Sequence, residues 1–253
     1  MKRSMISAIL VLSGMFLVSQ TLADHHMPSR SAVEYLGCTF NDDQSMDDLR
    51  DVSAKWEKWS KGKFSEDYTA FSLRPILTSG GDVEADYIWM GIAKNQEAMG
   101  RIKDEWFNKG QKMAAKFAEV STCAGNGLMD SFVLKPYENM GEAGYIQINA
   151  CEMNDGVTND DIAMADAKWV TWMTENNMPV GAYRWFPSVG DARDSTTDFY
   201  NVYVAESLAD RGKAHDMMYA GGFPVATELY GELYTCDNPR VWFAEPVGTV
   251  KAK

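Results

Sequence analysis

Histidine is scarce in this chain: three in 253 residues, at His25, His26 and His215. A nucleophilic triad would have to be built on His215, and no neighbouring signature orients that ring. Cysteine is nearly as rare, with four, and neither a CxxC motif nor a Cys/His spacing of zinc-ligand type occurs. Basic residues are outnumbered, 24 Lys and Arg against 36 Asp and Glu, which sets the formal net charge at −12. A surface of that sign repels phosphate backbones and anionic bilayers, which argues against nucleic acid and membranes as partners. Beyond the first twenty or so residues no run is long and apolar enough to span a bilayer. What remains is ordinary globular composition, 45% hydrophobic and 24% charged, in a chain long enough for one large domain or two small ones.

The first 23 residues have the three parts of a secretory signal. Lys2 and Arg3 form the basic end, Met5 to Val18 the apolar stretch, and Thr21-Leu22-Ala23 the small-residue cleavage site. Cleavage there starts the mature chain at Asp24, with residues 24–32 expected as a flexible N-terminus. No cysteine lies at the cut to take a lipid, so no stable membrane anchor is expected. The signal implies a periplasmic or secreted protein in an oxidising compartment, where cysteines pair.

The mature part reads as two diverged copies of one unit. The residues after Cys38, Asn41-Asp42-Asp43 and Ser45-x-Asp47-Asp48-Leu49, are matched after Cys151 by Asn154-Asp155-Gly156 and Thr158-x-Asp160-Asp161-Ile162, 113 positions on. At the same offset Lys55-Trp56-x-x-Trp59 meets Lys168-Trp169-x-x-Trp172. One position closer, Pro75 meets Pro187 and Gly100 meets Gly212; Thr122-Cys123 then meets Thr235-Cys236. The copies are placed at 33–140 and 144–247, leaving a tail of 248–253. Alternation predicts strands at Val33–Phe40, Tyr68–Leu77, Ala85–Ala93 and Leu128–Lys135. Capping boxes at Ser45/Asp48 and Thr158/Asp161 open helices. A second helix spans Asn95 to Phe117, with a break near Gly110. Copy two repeats the series at Tyr145–Met153, Asp160–Glu175, Val180–Pro187, Phe199–Ala205, Leu208–Tyr219 and Val241–Glu245. The order is β-α-β-β-α-β, the split βαβ pattern, in an α+β fold.

The cysteines are spaced 85 residues apart in both copies. In such a sheet the first and last strands are antiparallel neighbours, so the end of one lies beside the start of the other. That predicts Cys38–Cys123 and Cys151–Cys236. Each bridge closes a loop long enough to stabilise its unit by roughly 2–4 kcal/mol.

A tandem β-α-β-β-α-β chain of this size resembles the dimeric α/β-barrel superfamily, in which two ferredoxin-like units face each other sheet to sheet with their helices outside. The resemblance covers nearly all of the mature chain and rests on element order and duplication. Its members include cofactor-independent monooxygenases, haem proteins related to chlorite dismutase, stress-responsive proteins and binders. It implies a space between the sheets. The uniformly apolar set Ile88, Met90, Ile92, Tyr200, Val202 and Val204 is expected under the helices. The opposite set, Tyr87, Trp89, Asn201 and Tyr203, with Phe71, Tyr183 and Trp185, is expected to line the inter-sheet space as a ligand site or to fill it as core. Gln147 and Asn149, where copy one has Glu34 and Leu36, add polar candidates in copy two.

Three further features are open to functional readings. In chlorite-dismutase relatives a helix-borne histidine of the C-terminal unit binds haem, which would fall on His215. Here Lys103 holds the matching position in copy one and Arg211 marks the stripe as solvent-facing, so no haem or other cofactor is expected. A mature terminus Asp24-His25-His26 offers a square-planar nitrogen set for Cu(II) or Ni(II). The acids after Cys38 and Cys151 suit calcium or, more simply, helix N-termini. Three functions stay open: binding of a small apolar or aromatic molecule, a cofactor-independent oxygenase using the same cavity, or an interaction module with a filled core. Catalytic residues and oligomeric state are not legible.

Overall fold

A computed structural model describes residues 29–79, 84–190 and 192–252. The leader, its cleavage site and the Asp24-His25-His26 terminus lie outside the described residues. The first half contains β1 (Arg30–Phe40), α1 (Met46–Ser60), β2 (Tyr68–Leu77), β3 (Tyr87–Ala93), α2 (Gln96–Lys109), α3 (Gln111–Val120) and β4 (Ser121–Lys135). The second contains β5 (Gly144–Met153), α4 (Asn159–Glu175), β6 (Gly181–Val189), β7 (Phe199–Ala205), α5 (Leu208–Met217), a π-helical turn (Met218–Gly222), α6 (Phe223–Tyr230), β8 (Tyr234–Cys236) and β9 (Arg240–Val250).

The local signals explain most of these boundaries. Asp48 accepts the Ser45 backbone N–H at 2.9 Å, and Asp161 accepts that of Thr158 at the same distance, so both capping boxes form. Gly110 separates α2 from α3; a Cβ there would sit 2.6 Å from the Trp106 carbonyl oxygen. Strand β4 begins seven residues before the expected Leu128. The Ala-Gly-Asn-Gly stretch ahead of it stays in the sheet as a bulge, with Gly125 at φ +73° and a register shift at Leu36/Gly37. Helix α6 has no counterpart among the expected elements, because Gly221-Gly222-Phe-Pro reads as a stop. Gly221 does leave helical geometry, at φ 147°, but Pro224 then opens a new helix. At the C-terminus β9 runs through Val250, which is fully buried and pairs with Tyr68, so the expected tail begins as strand.

Strand pairing closes a ring of eight antiparallel strands in the order β1-β3-β2-β9-β5-β7-β6-β4 and back to β1, with the short β8 extending the edge of β5. Within the first half β1 lies between β3 and β4; within the second β5 lies between β7 and the β8/β9 pair. The seams are β2 against β9 and β4 against β6. Cys38 is directly opposite Cys123 and Cys151 opposite Cys236, and both pairs are disulfides.

Closure of the ring decides which face is which. Val33, Phe71, Leu73, Met90, Met129, Ile146, Trp185, Val202 and Trp242 pack together inside the barrel, joined by Ile88, Ile92, Tyr200 and Val204. Tyr87, Trp89, Phe199 and Tyr203 instead pack beneath the helices. The expected assignment of β3 and β7 is therefore inverted. A closed barrel shuts water out of its interior and takes the uniformly apolar set, while the helix-covered outer face can hold polar groups that find partners. No helix among the described residues is long and apolar enough to cross a membrane.

Candidate functional site

The two cavities that stand out both lie outside the barrel, between the sheet and its helices, one in each half. The first, about 350 Å³, is bounded by β1, β2 and β3 and by α1, α2 and α3. Its walls are aromatic: Trp56, Phe64, Tyr87, Trp89, Trp106 and Phe117 all face it. Trp89 packs edge-on against Trp56 at 5.2 Å and against Phe117 at 5.4 Å. Phe107, 64% exposed, sits at the rim, and the Cys38–Cys123 bridge closes one end.

One polar cluster interrupts this lining. Glu34 on β1 is only 5% exposed. One of its carboxylate oxygens accepts from the Tyr68 hydroxyl and the other from the Lys103 ammonium. Trp89 Nε1–H donates to the Tyr68 hydroxyl oxygen at 3.0 Å. The cluster depends on a glycine. Gly91 lies opposite both Glu34 and Ala70, and a Cβ there would stand 2.0 Å from the Tyr68 hydroxyl. Without a side chain at 91, the phenol of β2 crosses over β3 to reach the carboxylate of β1. Burial, and then the adjacent Glu34 charge, push the Tyr68 phenol well above its ordinary value, so it stays an O–H donor. Beside the disulfide, Tyr87 and Ser121 share a hydrogen bond of 2.6 Å.

The second cavity, about 310 Å³, has Gln147, Trp169, Met178, Tyr203, Arg211 and His215 on its walls, with Met218 of the π turn and Phe223. Arg211 Nε donates to Gln147 Oε1 at 2.9 Å. Elsewhere in this half the helix layer holds a buried ion pair. Arg184 (3% exposed) bonds Asp166 through two nitrogens and Asn201 through a third. Tyr230 donates to the same Asp166 at 2.9 Å, and the guanidinium lies 4.5 Å from the Phe199 ring centre.

The sequence-derived candidates are thus dispersed. Phe71, Tyr183 and Trp185 are inside the barrel, where they contribute to a packed core. Tyr87 and Trp89 face the first cavity, and Gln147 and Tyr203 the second. Asn201 belongs to the Arg184 network, and Asn149 donates to the Asp237 carbonyl at 2.9 Å beside the β8/β9 break. In the space between the two sheets, expected as a ligand site or a filled core, Phe71, Tyr183 and Trp185 pack with the apolar set, and the two cavities described above lie elsewhere. Sequence reasoning missed Tyr68 and treated Glu34 and Lys103 only as counterparts of Gln147 and His215. A signal was present: alternation puts Glu34 on one face with Ala32, Leu36 and Cys38, a lone charge in an apolar row. Among the described residues no three His, Cys, Asp or Glu side chains converge as a metal site.

No family model matches the chain, and no curated protein matches it. Seventy-one chains of solved structure do. One is a monooxygenase candidate from Lactobacillus acidophilus NCFM, with TM-score 0.55, 9% identity, and coverage of 88% of this chain and 97% of that one. A mutant chlorite dismutase from Candidatus Nitrospira defluvii gives TM-score 0.53 at 12% identity, over 86% and 92%. An anthrone oxidase-like protein gives 0.53 at 10%, over 88% and 94%. The chain has the fold of the dimeric α/β-barrel superfamily.

The chlorite-dismutase likeness raises haem, and the residues at His215 do not fit it. The His215 ring is exposed at the cavity rim and packs edge-on against Tyr219 at 5.3 Å and Phe223 at 6.5 Å. The space behind it is at the small end of the ~300–1,000 Å³ range of ligand sites, less than a tetrapyrrole needs. The Arg211–Gln147 pair stands on its wall.

Proposed function

We propose that this is an exported small-molecule-binding protein whose first-half cavity takes a flat, largely aromatic ligand carrying a hydroxyl group. The observation that carries this reading is the buried Glu34–Tyr68–Lys103 cluster set in a wall of tryptophan, tyrosine and phenylalanine. Aromatic walls supply contact area without direction, and a few convergent polar groups supply orientation. A ligand hydroxyl would donate to Glu34 and accept from Lys103. Export is supported by the leader-like N-terminus and by four cysteines that all pair. Descent from a doubled unit is supported by the equal 85-residue disulfide spacings and by the matching strand pairings of the two halves.

A second reading uses the same groups. Glu34 takes a proton from an acidic O–H or C–H of the bound molecule, and Lys103 and Tyr68 hold the resulting anion for attack by dioxygen. The similarity to a monooxygenase candidate and to an anthrone oxidase-like protein favours it.

Titration with 1-naphthol, followed by tryptophan fluorescence, tests the first reading. Binding is expected, with naphthalene weaker. Glu34→Gln and Lys103→Met should each lower affinity by about 10–100-fold, the worth of a hydrogen bond to a charged group. Unchanged affinity in both variants would remove the reading. Oxygen uptake and product analysis with the same compound separate the two: a binder returns it unaltered.

A further inference from the structure

The two cavities occupy corresponding places in the two halves, but their electrostatics differ. In the first, the Lys103 ammonium is neutralised by Glu34. In the second, the position of Glu34 is taken by Gln147, an uncharged acceptor, and none of the wall residues is acidic. Arg211 uses only its Nε–H there, on Gln147, and among the described residues its two terminal nitrogens meet no acceptor. Three acids of this half are engaged elsewhere: Asp166 with Arg184, Asp237 with Arg240, and Asp210 with Ser207. The indole Nε1–H of Trp169, another wall residue, is buried and has only a loose contact with the Tyr203 hydroxyl on the same wall. Arg211 is half-buried, so its terminal nitrogens face the cavity and solvent and are open to an incoming acceptor. In a protein of net charge −12, a cavity with one guanidinium that meets no carboxylate and walls of Met178, Val180, Met218 and Phe223 is selective for a particular chemistry.

We propose that the second-half cavity is a separate site for a small organic carboxylate with an apolar body, held through Arg211. A guanidinium fork matches a carboxylate in two parallel hydrogen bonds. Gln147 fixes one edge of the guanidinium and leaves the other free for that pairing, and the methionines and aromatic rings take the apolar body. The cavity volume admits one such molecule of modest size. The inference stands apart from the ligand proposed for the first cavity and shares no residue with it.

The test is isothermal titration of the full mature chain with octanoate and 3-phenylpropionate, with 1-octanol as the uncharged match. One carboxylate should bind per chain, at least tenfold more tightly than 1-octanol. Arg211→Gln should lower carboxylate affinity at least tenfold and leave 1-octanol unchanged, and Lys103→Met should change neither. No carboxylate binding, equal binding by Arg211→Gln, or loss of binding in Lys103→Met would each overturn the proposal. A readout on the unaltered protein guards against misfolding of the variant: the Arg211 Nε–H and Trp169 Nε1–H resonances should shift on titration. Both remaining still while ligand binds would place the acid elsewhere and also overturn it.

Discussion

The two halves of the barrel share strand pairings, capping boxes and disulfides, yet they bury charge in different ways. The first half puts its ion pair, Glu34 with Lys103, on the wall of a cavity. The second half puts its own, Arg184 with Asp166, among the rings of Phe199, Tyr230 and Tyr234, where it touches neither cavity. At the places matching Arg184 and Asp166 the first half has Ser72 and Ser53, both buried and uncharged. The difference shows that an ion pair's surroundings, more than its burial, decide what it can do. A pair bordering open space can exchange a hydrogen bond with a ligand, whereas a pair enclosed by aromatic rings can only hold structure.

The contrast can be broken hardest at the enclosed pair. Arg184→Met leaves the Asp166 charge buried without its cation, with only the Tyr230 hydroxyl donating to it, and urea denaturation should show a loss of about 3–5 kcal/mol. Ser72→Ala at the matching place should cost far less, and equal losses would erase the distinction. A smaller effect is expected at the glycine that makes room for the first cluster. Gly91→Ala drives a Cβ into the Tyr68 phenol, costing about 1–3 kcal/mol by overpacking and pulling the hydroxyl away from Glu34. Binding of 1-naphthol should fall in this variant, while carboxylate binding in the second half stays as it was.

Alkaline pH sharpens the comparison more gently, because both halves carry tyrosines whose pKa burial raises. Tyr203 is pushed up to about 12 and Tyr68 upward as well. In the unfolded chain these phenols titrate near pH 10. Their stabilisation is therefore complete below about pH 10 and is lost as pH rises from there toward the folded values, where the unfolded state has already shed its protons. Denaturation midpoints measured from pH 8 to 12 should hold and then fall. Tyr68→Phe and Tyr203→Phe should each flatten the fall, and a fall unaltered by both would refute the assignment.

Much of this architecture was legible in local signals. Ser45 with Asp48, and Thr158 with Asp161, announce helix starts because a short polar side chain followed by an acid satisfies free backbone N–H groups wherever it occurs. The start of β4 was placed too late because glycines weaken the strand signal ahead of Leu128, and only pairing with β1 holds that stretch in the sheet. Of the proposed site, Trp89 and Tyr87 were found but assigned to the wrong face. Tyr68, Glu34 and Lys103 were not recognised together, since they come from three elements brought side by side only by strand pairing and helix packing.

By itself, the amino-acid order determined the succession of the main strands and helices apart from α6 and β8, the even spacing of the cysteines and hence their partners, and the alternation that divides each strand into two faces. These depend on neighbours in the chain or on the equal spacing of its cysteine pairs. Only the tertiary structure decided which face turned inward. That choice belongs to ring closure: once β2 meets β9 and β4 meets β6, the interior is sealed from water and the aliphatic set must fill it. The polar groups are left on the helix-covered side, where the cavities lie.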